Sequence, residues 1–383
     1  MANDRIFYAT QAVGMRKYTD TAQYATMHGV QSVGMTTNFN ITPVFQYGEI
    51  AIYENIEDIP DVQISASKLL DGYPLFYHAA SSGATSPHLA GRSNERSDFA
   101  MSIFADTDTF SAGAPGSQVT CSGLYFGSLS YTFDSEGQGT EDISFVGNDK
   151  VWANDPEYGD STGAQFSNFS GIFDGTDSPS GVAGVTRRED ILFAVVTGLG
   201  LDLNGMVADP DATILPPDIH GISTTGTNNL AAGKYPAHVN SISFSLDFGR
   251  ESINELGHKA PYTRYASFPI EVTTEINVTS ASGDMVSATE AGILTTGTGC
   301  GSDLGNLADA TIRLATCNGL RIYAGYKNRL QTVSHAGGDT GGGNVTTSYT
   351  YRNFNDFTVL HLNDPNPSGA GWWSAKADYI VNV

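Results

Sequence analysis

Basic residues are scarce in this sequence: 19 Lys and Arg stand against 41 Asp and Glu over 383 residues, a formal net charge of −22. A surface that negative repels nucleic-acid phosphates and argues against sequence-specific DNA binding. It leaves room for a protein past which DNA moves without sticking. Cysteines are equally few, and Cys121, Cys300 and Cys317 are too widely spaced to build a disulfide framework. An odd number of them suits assembly in a reducing compartment. The opening MANDRIFYATQAVGM has no charged segment leading into an apolar run, so no signal peptide is expected. No apolar run approaches the ~20 residues of a membrane helix, and a soluble chain without membrane insertion is expected.

Catalytic signatures are missing too. There is no G-x-S-x-G elbow, no H-E-x-x-H and no paired C-x-x-C, and the eight histidines are scattered. Gly226–Lys234, GTNNLAAGK, has six residues between its glycines where a phosphate loop needs four, and Tyr235 follows where Ser or Thr would hold magnesium. Gly198-Leu199-Gly200 reads as a strand-end turn. Asp106 and Asp108, Asp174 and Asp177, and Asp202 and Asn204 do not continue into a calcium loop with its terminal Glu. Neither a catalytic residue nor a cofactor or metal site is therefore expected.

Long helical patterns are absent, while 43 glycines and frequent Ser and Thr mark a β-rich chain with many turns. What is present is alternation. Ile242, Phe244, Leu246 and Phe248 interleave with Ser243, Ser245 and Asp247. Ile270, Val272, Thr274, Ile276 and Val278 interleave with Glu271, Thr273, Glu275, Asn277 and Thr279. Such period-two runs are strands with one buried and one wet face. Between them Arg250–Leu256, closed by Gly257, predicts a short helix.

The same layout occurs earlier. Shifting Val30–Pro60 by 209 gives seven identities, among them Val30 on Val239, Phe39 on Phe248, Gly48 on Gly257 and Pro60 on Pro269; ordinary residue usage predicts about two. Thr42-Pro43 reads as an N-cap and first-turn proline, with Gly48 ending that turn. Beyond Pro60 the register slips by one, so that Val62 and Ile64 match Ile270 and Val272. Thr120-Cys121-Ser122-Gly123-Leu124 returns as Thr316-Cys317-Asn318-Gly319-Leu320, shifted by 196. Two echoes in one order predict a tandem duplication, with copies at 1–209 and 210–383. Gly127–Phe133 and Asp142–Trp152 predict a hairpin, Asn154–Val185 a surface excursion, Arg188–Asn204 a buried strand, and Ala208–Pro236 a linker. Ser334–Thr347 predicts a glycine-rich hairpin tip, and the C-terminal WWSAKADYIVNV a docked strand.

The unit SISFSLDFGRESINELGHKAPYTRYASFPIEVTTEI resembles the major tail tube proteins of tailed bacteriophages. It carries their strand, short helix, aromatic-basic loop, and strand entered through Phe268-Pro269. SLSYTFDSEGQGTEDISFVGND is similar to the family's later hairpin. The resemblance implies a mainly β fold of two tandem sandwich or roll domains, each flanked by a short helix. It implies a non-enzymatic virion protein, assembled in the host bacterial cytoplasm, whose trimeric, pseudo-hexameric rings stack into the tail tube. Its implied partners are itself, the tape measure, terminator and distal tail proteins, a sheath if the tail contracts, and genomic DNA that passes without specific binding.

Open sheet edges invite pairing, and ring closure uses them. The wet faces would then line the channel: Ser243, Ser245, Asp247, Glu271, Thr273, Glu275 and Asn277, with Thr36, Asn38, Asp61, Gln63, Ser65 and Ser67 from the earlier copy. Hydroxyls and carboxylates hold no phosphate, whereas each basic contact would brake DNA. Arg250, Tyr262, Arg264 and Tyr265 are candidates for contacts between subunits or rings. Three other readings fit the composition. One is a decoration or adhesion protein binding capsid or glycans. Another is a terminator or distal tail ring, and the last a hydrolase on a β scaffold.

Overall fold

The computed structural model describes residues 8–18, 23–84, 86–104, 115–154, 184–191, 213–216, 238–258, 261–279, 309–337 and 344–361, with a few isolated positions besides. β1 (Gln11–Lys17) and β2 (Tyr24–Thr26) lead into β3 (Val30–Asn38) and β6 (Asp61–Leu69), with the short β4 (Ile41–Val44) and β5 (Glu54–Glu57) between the last two. β7 (Ser97–Ile103), β8 (Ser117–Asp134), β9 (Thr140–Gly147), β10 (Val151–Asn154) and β11 (Phe169–Ser170) follow. In the second half, β12 (His238–Asp247) and β15 (Glu271–Thr279) flank the short β13 (Glu251–Ile253) and β14 (Thr263–Tyr265). β16 (Arg313–Ala315), β17 (Leu320–Tyr323), β18 (Arg329–Ala336), β19 (Thr346–Phe354) and β20 (Thr358–His361) complete the order. The fold is mainly β, as expected. Its described α-helices, α1 (Phe76–Ala80) and α2 (Leu89–Arg92), are single turns.

The main sheet runs β3-β6-β9-β8-β12-β15-β19-β18, every neighbour antiparallel. β8 is long enough to serve two sheets: its second half sits between β9 and β12, and its first half between β7 and β10. Gly123, at φ 65°, takes the left-handed conformation near the changeover. A small sheet, β16-β17-β20, lies apart in hydrogen bonding. Side chains of both halves share one buried cluster, including Ile64, Phe126, Phe145, Phe244, Val272, Tyr351, Ile322 and Val359.

Two irregularities recur along the main sheet. The β3·β6 ladder skips a residue between Val30 and Ser32, and β12·β15 does so between Val239 and Ser241, 209 residues on. The β8·β9 ladder skips between Phe126 and Ser128, and β18·β19 between Leu330 and Thr332, 204 residues on. Bulges fix register and twist, so their recurrence in the strand orders β3-β6-β9-β8 and β12-β15-β19-β18 is a strong geometric correspondence. β6 matches β15 at an offset of 210, which sets Val62 on Val272 and Ala66 on Ile276, all four buried. The slip beyond Pro60 therefore runs opposite to the sequence expectation. The inserted residue is Ile270, buried and held at its backbone N–H and C=O by Asn355.

The helices expected after β3 and β12 are corrections. Ile41–Val44 pairs with Glu54–Glu57, and Glu251–Ile253 with Thr263–Tyr265. A lone helix this short is dominated by its nucleation cost, and strand pairing satisfies the same backbone groups. Gly48 (φ 89°) and Gly257 (φ 87°) are left-handed, but inside hairpin arms rather than at helix ends. Tyr8–Thr10 is a 3-10 turn, and the first strand begins at Gln11. The two Cys-Gly echoes occupy different settings, Cys121 inside β8 and Cys317 in the turn between β16 and β17. The expected β8–β9 hairpin is present, and β18 and β19 form the hairpin whose tip falls within Ser334–Thr347. The C-terminal strand and most of the expected excursion, buried strand and linker lie outside the described residues. So do Gly198–Gly200, Gly226–Lys234 and the acidic pairs between Asp106 and Asn204.

Candidate functional site

The main sheet has a sealed face and a wet one. Toward the core it presents Val62, Ile64, Ile143, Phe145, Leu129, Tyr131, Phe244, Leu246, Val272, Ile276, Tyr349 and Tyr351. The opposite face is organised in cross-strand rows. Ser32, Ser67, Asp142, Ser130, Ser245, Thr273, Arg352 and Arg329 stand side by side across the eight strands. A neighbouring row holds Thr132, Ser243, Glu275, Thr350 and Thr332. Gln63 lies opposite Thr36, Ser65 opposite Gly34, and Asp247 opposite Ser128. Short bonds tie the rows together: Ser128 Oγ to Ser144 Oγ at 2.7 Å, Asn277 to Ser241 at 3.0 Å, and Ser348 to Glu275 at 3.0 Å. All thirteen residues expected on a wet face are thus on one face of one sheet.

The face is not free of cations, in contrast to the lining of hydroxyls and carboxylates expected of it. Arg329 and Arg352 face each other at its β18 end, a like-charge pair that is unfavourable by itself. Carboxylates offset it: Asp309 accepts from Arg329 at 2.8 Å and Glu271 accepts from Arg352. Together with Lys327, Leu330, Asn353 and Phe354 these arginines line a cleft of about 640 Å³.

Two hairpin arms leave the sheet, β4–β5 from β3 and β6, and β13–β14 from β12 and β15. The second arm is anchored within the chain. Arg250 donates to the carbonyls of Phe126 and Ser93, and its guanidinium lies 5.2 Å from the rings of Tyr125 and Phe126. Burial pushes its pKa down to about 10, so it stays charged at neutral pH. Tyr125 and Thr263 share a hydroxyl bond of 3.1 Å. Arg264 is paired with Asp61 and also donates to Asn148. Burial pulls the Asp61 pKa upward, but the hydrogen bond from Asn40, the Arg264 guanidinium and Asn148 outweigh it and hold the carboxyl below its usual range. Arg250 and Arg264 thus serve a contact inside one chain. Tyr265 and Ser267 bind Glu251, and Tyr262 is exposed.

Among the described residues the first arm is tied to the sheet at its base, where Asn40 donates to Asp61 and to the Ile59 carbonyl, and its outer part has no such anchor. Phe39, Ile41, Phe45, Tyr47, Ile50, Ile52, Tyr53 and Ile56 are all more than half exposed. Both outer edges of the main sheet, on β3 and β18, have no strand paired to them among the described residues.

Nothing described resembles a reaction centre. No group of three or more His, Cys, Asp or Glu gathers among the described residues. Burial raises the Cys121 thiol to about 12, far from a reactive thiolate. No described helix is long and apolar enough to cross a membrane.

No protein-family model and no curated protein sequence matches the chain. Among solved structures it is similar to a chain of the anti-feeding prophage baseplate, at 8% identity and a TM-score of 0.31, over 40% of this chain and 98% of that one. It is similar to a chain of the sheath–tube complex of an extracellular contractile injection system in its extended state, at 11% identity and 0.29, over 40% and 94%. A chain of the anti-feeding prophage tube-terminating cap overlaps at 12% identity and 0.29, over 39% and 92%. Overlaps at these scores carry no functional argument, which rests on the geometry of the sheet.

Proposed function

We propose that this chain is a non-enzymatic structural subunit of a phage tail tube, built as two tandem tube-like units whose rings contain three chains. One observation carries the reading. The two four-stranded units are already joined once, by β8·β12, with Ser245 opposite Ser130. The equivalents of those two strands, β18 and β3, are the outer edges of the sheet. Offsets of 204 and 209 transfer the internal joint onto a second copy, setting Ser334 of one chain opposite Thr36 of the next. A joint of this kind is heterologous, and it closes into a ring when its rotation divides the circle. Three chains then present six equivalent units, and no edge remains to aggregate.

The wet rows face the channel in this arrangement. Asp61, Gln63, Ser65, Ser243, Ser245, Asp247, Glu271, Thr273 and Glu275 supply hydroxyls, amides and carboxylates, and the two arginines of the row, Arg329 and Arg352, are paired with Asp309 and Glu271, so the surface offers DNA few counterion-releasing contacts. Other tail proteins are the partners above and below the ring. The test is electron microscopy of the purified protein combined with a disulfide trap, Thr36→Cys with Ser334→Cys. The two positions lie roughly 30 Å apart along a single sheet, so only neighbouring chains can link them. Rings or tubes with threefold symmetry and covalent oligomers on oxidation are expected. Monomers by microscopy with no cross-link would overturn the reading.

A further inference from the structure

We propose that the acidic arm of one chain, Phe39–Asp58, docks into the basic cleft formed by Lys327, Arg329, Leu330, Arg352 and Phe354 of a second copy. The inference rests on the head-to-tail joint proposed above and adds to it a separate recognition site.

The internal arm shows how such a hairpin docks. Its contacts lie on Tyr125 and Phe126 of β8 and on Asp61 of β6. The repeated bulges carry those three positions to Arg329, Leu330 and Glu271. Arg329 and Leu330 line the 640 Å³ cleft, and Glu271 is ion-paired to Arg352, which also lines it. The surface equivalent to an occupied docking site is therefore an open cleft in the isolated chain. Its equivalent hairpin, β4–β5, is meanwhile exposed. The arm cannot reach the cleft of its own chain along the sheet, because the two sit at opposite edges.

The chemistry changes in step on both sides. Between Phe39 and Asp58 there are four carboxylates, Glu49, Glu54, Glu57 and Asp58, and no Lys or Arg. The cleft is lined by three cations and Asp309, and with Glu271 paired to Arg352 three cations meet two carboxylates, a basic balance in a chain with a net charge of −22. Position by position, the Thr263–Tyr125 hydroxyl pair becomes Glu54 and Arg329. Arg250 on Phe126 becomes Ile41 on Leu330, and Arg264 on Asp61 becomes Asn55 on Glu271. The bond from Arg329 to Asp309 joins exposed groups and is weak, which leaves the guanidinium's other N–H groups for Glu54. Eight exposed large apolar side chains on one hairpin also exceed what a monomer surface ordinarily shows.

Charge reversal tests this directly. Glu54→Arg alone and Arg329→Glu alone should each weaken self-association about tenfold, and the double variant should restore it to within about threefold. Sedimentation velocity over a concentration series reads the association, and thermal melts check that each monomer folds. The Thr36→Cys/Ser334→Cys trap is run in parallel in the otherwise unaltered chain. Unchanged association in both single variants, or no rescue in the double, overturns arm docking while a positive trap leaves the ring reading standing. No association and no trap in the unaltered chain overturns both.

Discussion

The two hairpin arms occupy equivalent places and meet opposite fates. Arg250 in one is half-buried against Phe126 and Tyr125 and bonded to two carbonyls; Ile41 at the same place in the other is 55% exposed. Arg264 is ion-paired to Asp61, while Asn55 sits at the matching position of an arm whose strand β5 is exposed throughout. The difference teaches that an arm's charge answers to the surface it meets. The basic arm lies on a patch containing Asp61, whereas among the described residues the acidic arm is tied to the sheet only at its base, through Asn40.

Breaking the docked arm should have the largest effect. Arg250→Ala strips charge-assisted bonds from two carbonyls and the packing of a guanidinium among aromatic rings, and should cost about 3 kcal/mol in urea unfolding. A loss below ~1 kcal/mol would mean that the arm is not held by Arg250.

A smaller effect is expected at Asp61. Its folded pKa lies below the unfolded value. The stability it contributes is therefore complete above the ordinary carboxylate pKa and is lost as pH falls through the lowered one. Asp61→Asn should flatten that acid limb, and Arg264→Ala should shift the limb toward higher pH, both read from urea midpoints between neutral and acidic pH. Identical limbs in all three proteins would show that this ion pair does not link the arm to the sheet.

The smallest effect is expected where the contrast is sharpest. Ile41→Ala, the counterpart of Arg250→Ala, should change monomer stability by less than about 0.5 kcal/mol, as exposed substitutions do. A loss comparable with that of Arg250→Ala would place the first arm on its own chain and erase the distinction.

Period-two alternation revealed β12, β15 and β6 residue by residue, because one sealed and one wet face leave a direct trace in residue type. The arms were misread for a physical reason. A three-residue strand such as Glu251–Ile253 is too short to show a period, and a glycine closes a helix and a hairpin turn alike. The bulges that align the two units were invisible, since a bulge is a property of pairing and needs both strands. Charged residues in the core were equally hidden. Lys68 continues the buried face of Val62, Ile64 and Ala66, yet its type reads as surface; its ammonium bonds the His28 carbonyl and Asp71. Glu141, opposite Lys68, accepts the backbone N–H groups of Phe76 and Tyr77 at the start of α1 and the Tyr131 hydroxyl. Their counterparts at Val278 and Thr347 are uncharged. Arg352 is hidden for the same reason: polar Thr347 and Asn353 occupy buried positions of β19, so residue type does not mark its wet face.

The β8·β12 ladder has a kinetic consequence. A joint made within one covalent chain forms at the high effective concentration of a tethered pair, independently of how dilute the protein is. In the proposed ring every second joint is of this kind, so closure is a three-body association where six separate units would need a six-body one. The threshold concentration for closure falls accordingly. Units of two kinds also alternate by construction, which allows the acidic and basic arms to follow one another around the circle without any sorting step.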